Sequence, residues 1–168
     1  LKINNIPLIA YPIKAAIASN EFENIFVSTD SVRIASIAKK YGADVPFLRP
    51  KKFAADLTST EDTLKQALIS YENFLNKSFT ICVYLTATDI FRKVSWIKQA
   101  VKTLKDNPNI ESCFSANSTH KNYWFENKKN NWKRILPSMK EYSSRQIKKP
   151  IYREDTGLAC ASRSFLWR

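Results

Sequence analysis

Residues 25–60 read IFVSTDSVRIASIAKKYGADVPFLRPKKFAADLTST, the most informative stretch of the chain. It opens with a short apolar strand (24–28) that ends in Ser-Thr-Asp. A helix follows, which Asp30 or Ser31 can cap and which Gly42 is suited to end in the left-handed conformation. A second short strand (44–48) leads through Arg49 into a polar loop that opens another helix. This order of elements predicts a nucleotide site on an α/β sheet.

The first two-thirds of the chain continue this alternation. Apolar residues recur at helical spacing in 7–18, 60–75 and 94–104, a continuous apolar run predicts a strand at 79–85, and a further strand is predicted at 110–116. Ser59 or Thr60 can cap the helix 60–75, and Pro12 is expected to bend the first helix. We therefore predict a mostly parallel α/β sheet with helices on both faces.

Residues 117–149 have a different character. Asn, Lys and aromatic residues dominate there, and turn-like residues 128–131 separate two aromatic strands. We predict that this segment is an arm that leaves the sheet of one domain spanning residues 1–168. It carries more apolar surface than a lone loop can hide, which favours packing against a second copy of the chain.

The charge of the chain favours an anionic partner. Its 27 Lys and Arg against 15 Asp and Glu give a formal net charge of +12. Because the basic residues are spread along the chain, a phosphate-bearing ligand is favoured over a nucleic acid. A Lys-, Asn- and Ile-rich bias from an AT-rich genome is the alternative explanation.

The three cysteines are predicted to be reduced core residues. The chain has one His, which makes His-based metal chemistry hard to assemble. No apolar run approaches the ~20 residues of a membrane span.

Three loops at the predicted carboxyl ends of the strands carry candidate site residues. In the first, Asp30 follows a strand. It either contacts a ligand or caps the next helix. The second runs from Arg49 to the hydroxyl cluster at 58–60. Arg49 either contacts a ligand there or makes a salt bridge on the surface beside the capped helix. In the third, residues 85–92, Asp89 could give Mg²⁺ an oxygen ligand or cap the following helix.

Taken in order, these loops resemble those of the acylneuraminate cytidylyltransferase family, which activates sialic acids and related nine-carbon sugars. The matching positions are Arg49-Pro50, Asp56, the hydroxyl cluster, Thr88, Arg92, Tyr123-Trp124 and the stretch 145–155. The chain departs from the family pattern at Thr86, which replaces Gln, at Asp89, which replaces Ser, and at Asp155, which replaces Asn. The resemblance covers nearly the whole chain and implies a Rossmann-like nucleotide-diphospho-sugar transferase fold.

The resemblance also implies roles for individual residues. The nucleotide-binding positions are Arg49, Thr58, Thr60 and Asp30; the sugar-binding positions are Thr86, Thr88, Arg145, Gln146 and Arg153; the catalytic positions are Asp89, which is also the metal candidate, and Arg92. The implied reaction joins CMP from CTP to a nonulosonic acid and releases pyrophosphate, with Mg²⁺ as the cofactor. A cytoplasmic homodimer that does not associate with membranes is the implied setting.

The same resemblance implies that the chain is internal to a longer protein. The family's triphosphate loop would precede Leu1, and its acidic metal motif would follow Arg168. This fragment alone is therefore expected to be inactive. Two alternatives stay open. One is another sugar nucleotidyltransferase or a glycosyltransferase with the same sheet. The other is a basic nucleic-acid-binding module that uses Trp124, Trp132 and nearby lysines.

Overall fold

The computed structural model describes residues 1–127, 130–136, 144 and 146–168. In that part of the chain the helices are α1 (Ala10–Ser19), α2 (Val32–Lys40), α3 (Thr60–Leu75) and α4 (Val94–Asp106). The strands are β1 (Lys2–Ile3), β2 (Ile6–Pro7), β3 (Ile81–Tyr84), β4 (Ser112–Phe114), β5 (Ala116–Thr119), β6 (Trp124–Asn127), β7 (Asn131–Arg134), β8 (Ile151–Glu154) and β9 (Cys160–Arg163). Two units result: a main unit (Leu1–Ser115 with Asp155–Arg168) and an arm unit (Ala116–Glu154).

Of the elements predicted in residues 25–60, the helix forms, whereas the two flanking strands, predicted at 24–28 and 44–48, are reduced to a single bridge. Phe26 and Asp44 make a parallel bridge, in which Asp44 N–H donates to Ile25 O at 2.7 Å and Val27 N–H donates to Asp44 O at 3.0 Å. Helix α2 connects the two sides, and Ser31 caps it by accepting a hydrogen bond from the backbone N–H of Ile34. The prediction offered two capping residues, and Ser31 is the one used.

The central sheet of the main unit is antiparallel. Its strand order is β3-β9-β4, and β9 pairs antiparallel with both neighbours. The prediction of a mostly parallel sheet is therefore wrong for the described strands, whose only parallel pairing is the bridge between Phe26 and Asp44. The reason is that β9 follows the arm in sequence and enters between two strands that precede the arm. The coarser prediction of an α/β fold is confirmed.

Local signals set the helix ends. Helix α3 has the predicted bounds, with Ser59 accepting a hydrogen bond from Asp62 N–H at 3.0 Å. Gly42 has a φ of 93°, in the left-handed region where a side chain is strained. Helix α1 starts later than predicted because β2 pairs with β1, and this puts Pro12 in the first turn, where its missing N–H has no helical acceptor. No described helix is long and apolar enough to cross a membrane.

Two apolar clusters form the core of the main unit. The first joins α1, α2 and the residues after α2 through Ile13, Ala35, Ala38, Ala43 and Val45. The second packs α4 on the central sheet through Ala100, Val101, Leu104 and Ala161, with Cys113 against it. Leu104 and Ala161 are completely buried. The three cysteines are free, as predicted.

The arm unit consists of two antiparallel strand pairs, β5 with β8 and β6 with β7. The hairpin β6–β7 confirms the predicted pair of aromatic strands. Large apolar side chains are exposed there, including Trp124 at 48% and Trp132 at 56%. The guanidinium of Arg134 lies 4.9 Å from the centre of the Trp124 ring, a cation–π contact within the hairpin.

Candidate functional site

The main unit contains a cavity of about 520 Å³. It is lined by α1, residues 24–28, α3 and β3, together with the loop that follows β3. Most of its lining is apolar, and the polar side chains among the lining residues include Ser28, Arg49, Thr63, Thr86 and Thr88. An apolar pocket with a few convergent polar groups is the usual form of a small-molecule site.

Arg49 reaches this cavity from the end of the second predicted strand. Its backbone N–H donates to Thr29 O at 2.8 Å, which fixes the residue beside the first loop. Its guanidinium makes no hydrogen bond with the described residues, and Nε is buried. A cation that lines a cavity and lacks an internal acceptor is suited to an anionic or carbonyl-bearing ligand.

The loop after β3 brings three predicted site residues together. The hydroxyl of Thr86 donates to the carboxylate of Asp89, and the hydroxyl of Thr88 lies 3.4 Å from that of Thr86. Asp89 does not cap α4, because Lys93 occupies the capping position and makes no side-chain hydrogen bond there. The rival interpretation of Asp89 as a helix cap is therefore wrong.

Arg92 ends this loop and points into the protein. Its Nη2 donates to Thr86 O at 2.9 Å and Gly157 O at 2.5 Å, and its Nε donates to Leu158 O. Burial lowers the pKa of Arg92, and the nearby carboxylate of Asp89 opposes that change. The predicted catalytic role of Arg92 stays a prediction, and its observed contacts are with the backbone.

The remaining predicted residues lie elsewhere. Asp30 and Thr60 are exposed, and Thr58 is half-buried with its hydroxyl 3.5 Å from Lys52 O; none of the three lines the cavity. Gln146 belongs to the arm unit, where its amide oxygen accepts a hydrogen bond from Ser144. Arg153, also in the arm unit, pairs with Asn117 across β5 and β8. Arg145 lies outside the described residues. The structure thus brings Arg49, Thr86 and Thr88 to one cavity.

An aromatic stack along the cavity was not predicted. Tyr71 packs between Phe26, at a ring-centre distance of 4.4 Å, and Phe79, at 6.0 Å. Its hydroxyl donates to the carboxylate of Asp44 at 2.5 Å. Burial, followed by this carboxylate, raises the pKa of Tyr71 well above its ordinary value. The sequence indicated Tyr71 only as part of the predicted helix 60–75.

Gly157 is the second residue that the sequence did not single out. A Cβ there would collide with the carboxylate of Asp89 and would lie 2.6 Å from Thr86 Oγ1. Its backbone O also accepts from Thr86 N–H at 3.0 Å. With the Asp89 and Thr86 side chains in their observed positions, only a residue without a Cβ fits here.

The donor set for a metal is small. No group of three or more His, Cys, Asp or Glu residues that could hold a metal ion occurs among the described residues. Asp89 supplies one carboxylate. Because Mg²⁺ is commonly bound by one or two carboxylates together with phosphate oxygens, Asp89 fits as one ligand of such an ion rather than as part of an all-protein cage.

Comparison with known proteins gives consistent matches. Residues 1–165 match the family described as Cytidylyltransferase. The chain is 30% identical over 160 residues to the pseudaminic acid cytidylyltransferase and UDP-2,4-diacetamido-2,4,6-trideoxy-beta-L-altropyranose hydrolase of Helicobacter pylori, covering 92% of this chain and 29% of that protein. It is 36% identical over 115 residues to the N-acylneuraminate cytidylyltransferase of Escherichia coli, covering 68% and 26%. It is 39% identical over 99 residues to the CMP-N,N'-diacetyllegionaminic acid synthase of Legionella pneumophila, covering 59% and 42%. The chain therefore spans less than half the length of these three curated relatives.

A solved structure has a similar fold. It is that of CMP:2-keto-3-deoxy-manno-octonic acid synthetase complexed with CTP, with a TM-score of 0.69 over 99% of this chain and 67% of that chain. The sequence identity is 14%, so this likeness concerns the fold alone.

Proposed function

The chain belongs to the cytidylyltransferase family, and from this premise we propose that the protein transfers CMP from CTP to a nonulosonic sugar acid. The observation that carries the proposal is the meeting of Arg49, Thr86 and Thr88 on one cavity of the main unit. In this proposal Arg49 contacts the nucleotide. Thr86 and Thr88 contact the sugar acid, as their places in the family pattern suggest.

The proposed reaction is a displacement at phosphorus. The anomeric hydroxyl oxygen of the sugar acid attacks the α-phosphorus of CTP, the bond from that phosphorus to the bridging oxygen breaks, and pyrophosphate leaves. The hydroxyl proton is released. Positioning and charge stabilisation, rather than a covalent intermediate, supply the rate enhancement. Bound Mg²⁺ would neutralise phosphate charge, with Asp89 as one ligand.

We also propose the remaining predicted contacts. Thr58, Thr60 and Asp30 would need to reach the nucleotide from outside the cavity lining. Gln146 and Arg153 would contact the sugar acid, since the guanidinium of an arginine can bind a carboxylate with two hydrogen bonds.

Pyrophosphate release tests the activity. The full-length protein is mixed with Mg²⁺, each of CTP, UTP, ATP and GTP, and either a nine-carbon nonulosonic acid or the eight-carbon 2-keto-3-deoxy-manno-octonic acid. We expect release only with CTP and a nonulosonic acid, with the CMP-sugar identified by mass spectrometry. Release with another nucleotide would favour a different sugar nucleotidyltransferase. No release with any pair would contradict the proposal.

We also propose that the protein is a cytoplasmic homodimer joined through the arm unit. The exposed aromatic side chains of the hairpin β6–β7, Trp124, Phe125 and Trp132, support this. Light scattering on the full-length protein and on a Trp132→Ser variant tests it, with Phe74→Ser, an exposed aromatic of the main unit, as the control. A monomeric wild type at high micromolar concentration would contradict the dimer.

A further inference from the structure

One side chain ties the loop after β3 to the turn before β9. Arg92 donates to the carbonyls of Thr86, Gly157 and Leu158. These acceptors come from both segments, so the guanidinium bridges parts of the chain more than 60 residues apart, as the separation of 65 between Arg92 and Gly157 indicates. Thr86 N–H adds a backbone hydrogen bond of 3.0 Å to Gly157 O.

The hydrogen-bonding capacity of Arg92 is directed inward. A guanidinium has five N–H donors, and the one on Nε and the pair on Nη2 face backbone carbonyls. The third nitrogen, Nη1, is buried and has no partner among the described residues. Nε and Nη2 are thus engaged by backbone carbonyls, and Arg92 is absent from the residues that line the cavity.

Gly157 completes this arrangement. A Cβ at this position would meet the ends of the Asp89 and Thr86 side chains. An alanine would therefore displace these two side chains or the segment that carries residue 157. A change at either residue thus disturbs the same contact from opposite sides.

We propose that Arg92 is a positioning residue and not a catalytic one. With Gly157 it fixes the loop whose Thr86, Thr88 and Asp89 side chains serve the sugar acid and the metal. This inference rests on the proposed function for its kinetic consequence, while the fixing of the loop stands on the contacts themselves.

The kinetic test compares Arg92→Lys, Gly157→Ala and the double variant in the full-length protein. Lysine keeps the charge but lacks the planar fork that serves three carbonyls. We expect each single variant to lower kcat/KM for the sugar acid about 10- to 100-fold, with KM for CTP changed by less than about threefold, because misplacement of reacting groups by about 1 Å has effects of this size. Because both changes break one contact, the double variant should be no more impaired than the worse single variant.

Two matched controls separate positioning from general damage. Gly42→Ala places a side chain at a φ of 93° at the end of α2, outside the cavity lining, and should lower the melting temperature without changing KM for the sugar acid. Arg33→Lys alters an exposed arginine and should change neither. Multiplicative defects in the double variant, or a defect in Arg92→Lys with normal kinetics in Gly157→Ala, would show that Arg92 acts on the substrate. If Arg92→Lys and Gly157→Ala both lower the melting temperature but leave the kinetics unchanged, the contact contributes only to stability. Each of these results overturns the inference.

Hydrogen exchange makes the inference testable apart from the reaction. Amides of residues 86–92 and 155–158 should exchange faster in both single variants than in wild type. In Gly42→Ala, exchange of these amides should change only as much as the loss of global stability of that variant requires. If wild type makes no CMP-sugar, the proposed function fails while faster exchange still supports the fixing of the loop. Unchanged exchange in both segments would overturn it whatever the activity.

Discussion

Arg49 offers the sharpest test of the nucleotide site. Its guanidinium lines the cavity and forms no hydrogen bond with the described residues, so Arg49→Ala removes no internal hydrogen bond that the structure describes. The free energy of unfolding of the unliganded protein should change by less than about 1 kcal/mol, since the lost packing is opposed by relief of the buried, unpartnered Nε. The effect of the substitution should therefore appear in ligand binding.

The expected loss of binding follows from the chemistry of the contact. A hydrogen bond between a charged donor and a ligand contributes about 1.5–3 kcal/mol, which corresponds to a rise of about 10- to 100-fold in the Kd for CTP. Isothermal titration of the full-length protein with CTP and ATP measures this, with Arg33→Ala as the control on an exposed arginine. Arg49→Ala should lose most of the preference for CTP. An unchanged Kd for CTP, or equal affinity of wild type for both nucleotides, would refute the assignment.

Two further predictions concern stability. Leu104 is completely buried against the central sheet, so Leu104→Ala should lower the free energy of unfolding by about 2–5 kcal/mol in denaturant titrations, whereas Leu57→Ala, at a position 99% exposed, should change it little. Burial alone would raise the pKa of Glu72, but hydrogen bonds from Arg168 and from the backbone N–H of Phe79 bring it below its ordinary value of 4.5. The stabilisation from Glu72 is therefore present above about pH 4.5 and lost as the pH falls further. Glu72→Gln should cost about 1–2 kcal/mol at pH 7, and a difference between variant and wild type that persisted unchanged at pH 3 would contradict this.

The features that could be predicted from the sequence are those that depend on residues close together along the chain. The cap at Ser59, the left-handed Gly42 and the bounds of α3 rest on interactions within four residues, and all are present. The strand order of the central sheet depends on β9, which enters the sheet only after the arm has been traversed. Alternation of strands and helices gives no information about such a late insertion, and this is why the parallel sheet was predicted wrongly.

For the candidate site, too, some residues were predicted from the sequence and others were not. Arg49, Thr86 and Thr88, which were chosen from loop order along the chain, line one cavity, although the parallel sheet assumed for that choice is not present among the described strands. The contact of Gly157 with Asp89 depends on two segments remote in sequence and on the absence of one Cβ. In a single sequence this glycine has no signal that separates it from a turn residue.

The loop between Arg49 and α3 limits which of its residues can recognise a nucleotide. A 3₁₀ helix at Lys51–Phe53 occupies its first part, and the Thr58 hydroxyl turns toward Lys52 O within the loop. Ser59 is engaged in capping α3, which leaves Thr60 exposed at the start of the helix. Arg49 differs from these residues, since its backbone is fixed on Thr29 while its side chain has no acceptor among the described residues. We therefore expect nucleotide discrimination in this part of the chain to depend on Arg49 more than on the Thr58 hydroxyl.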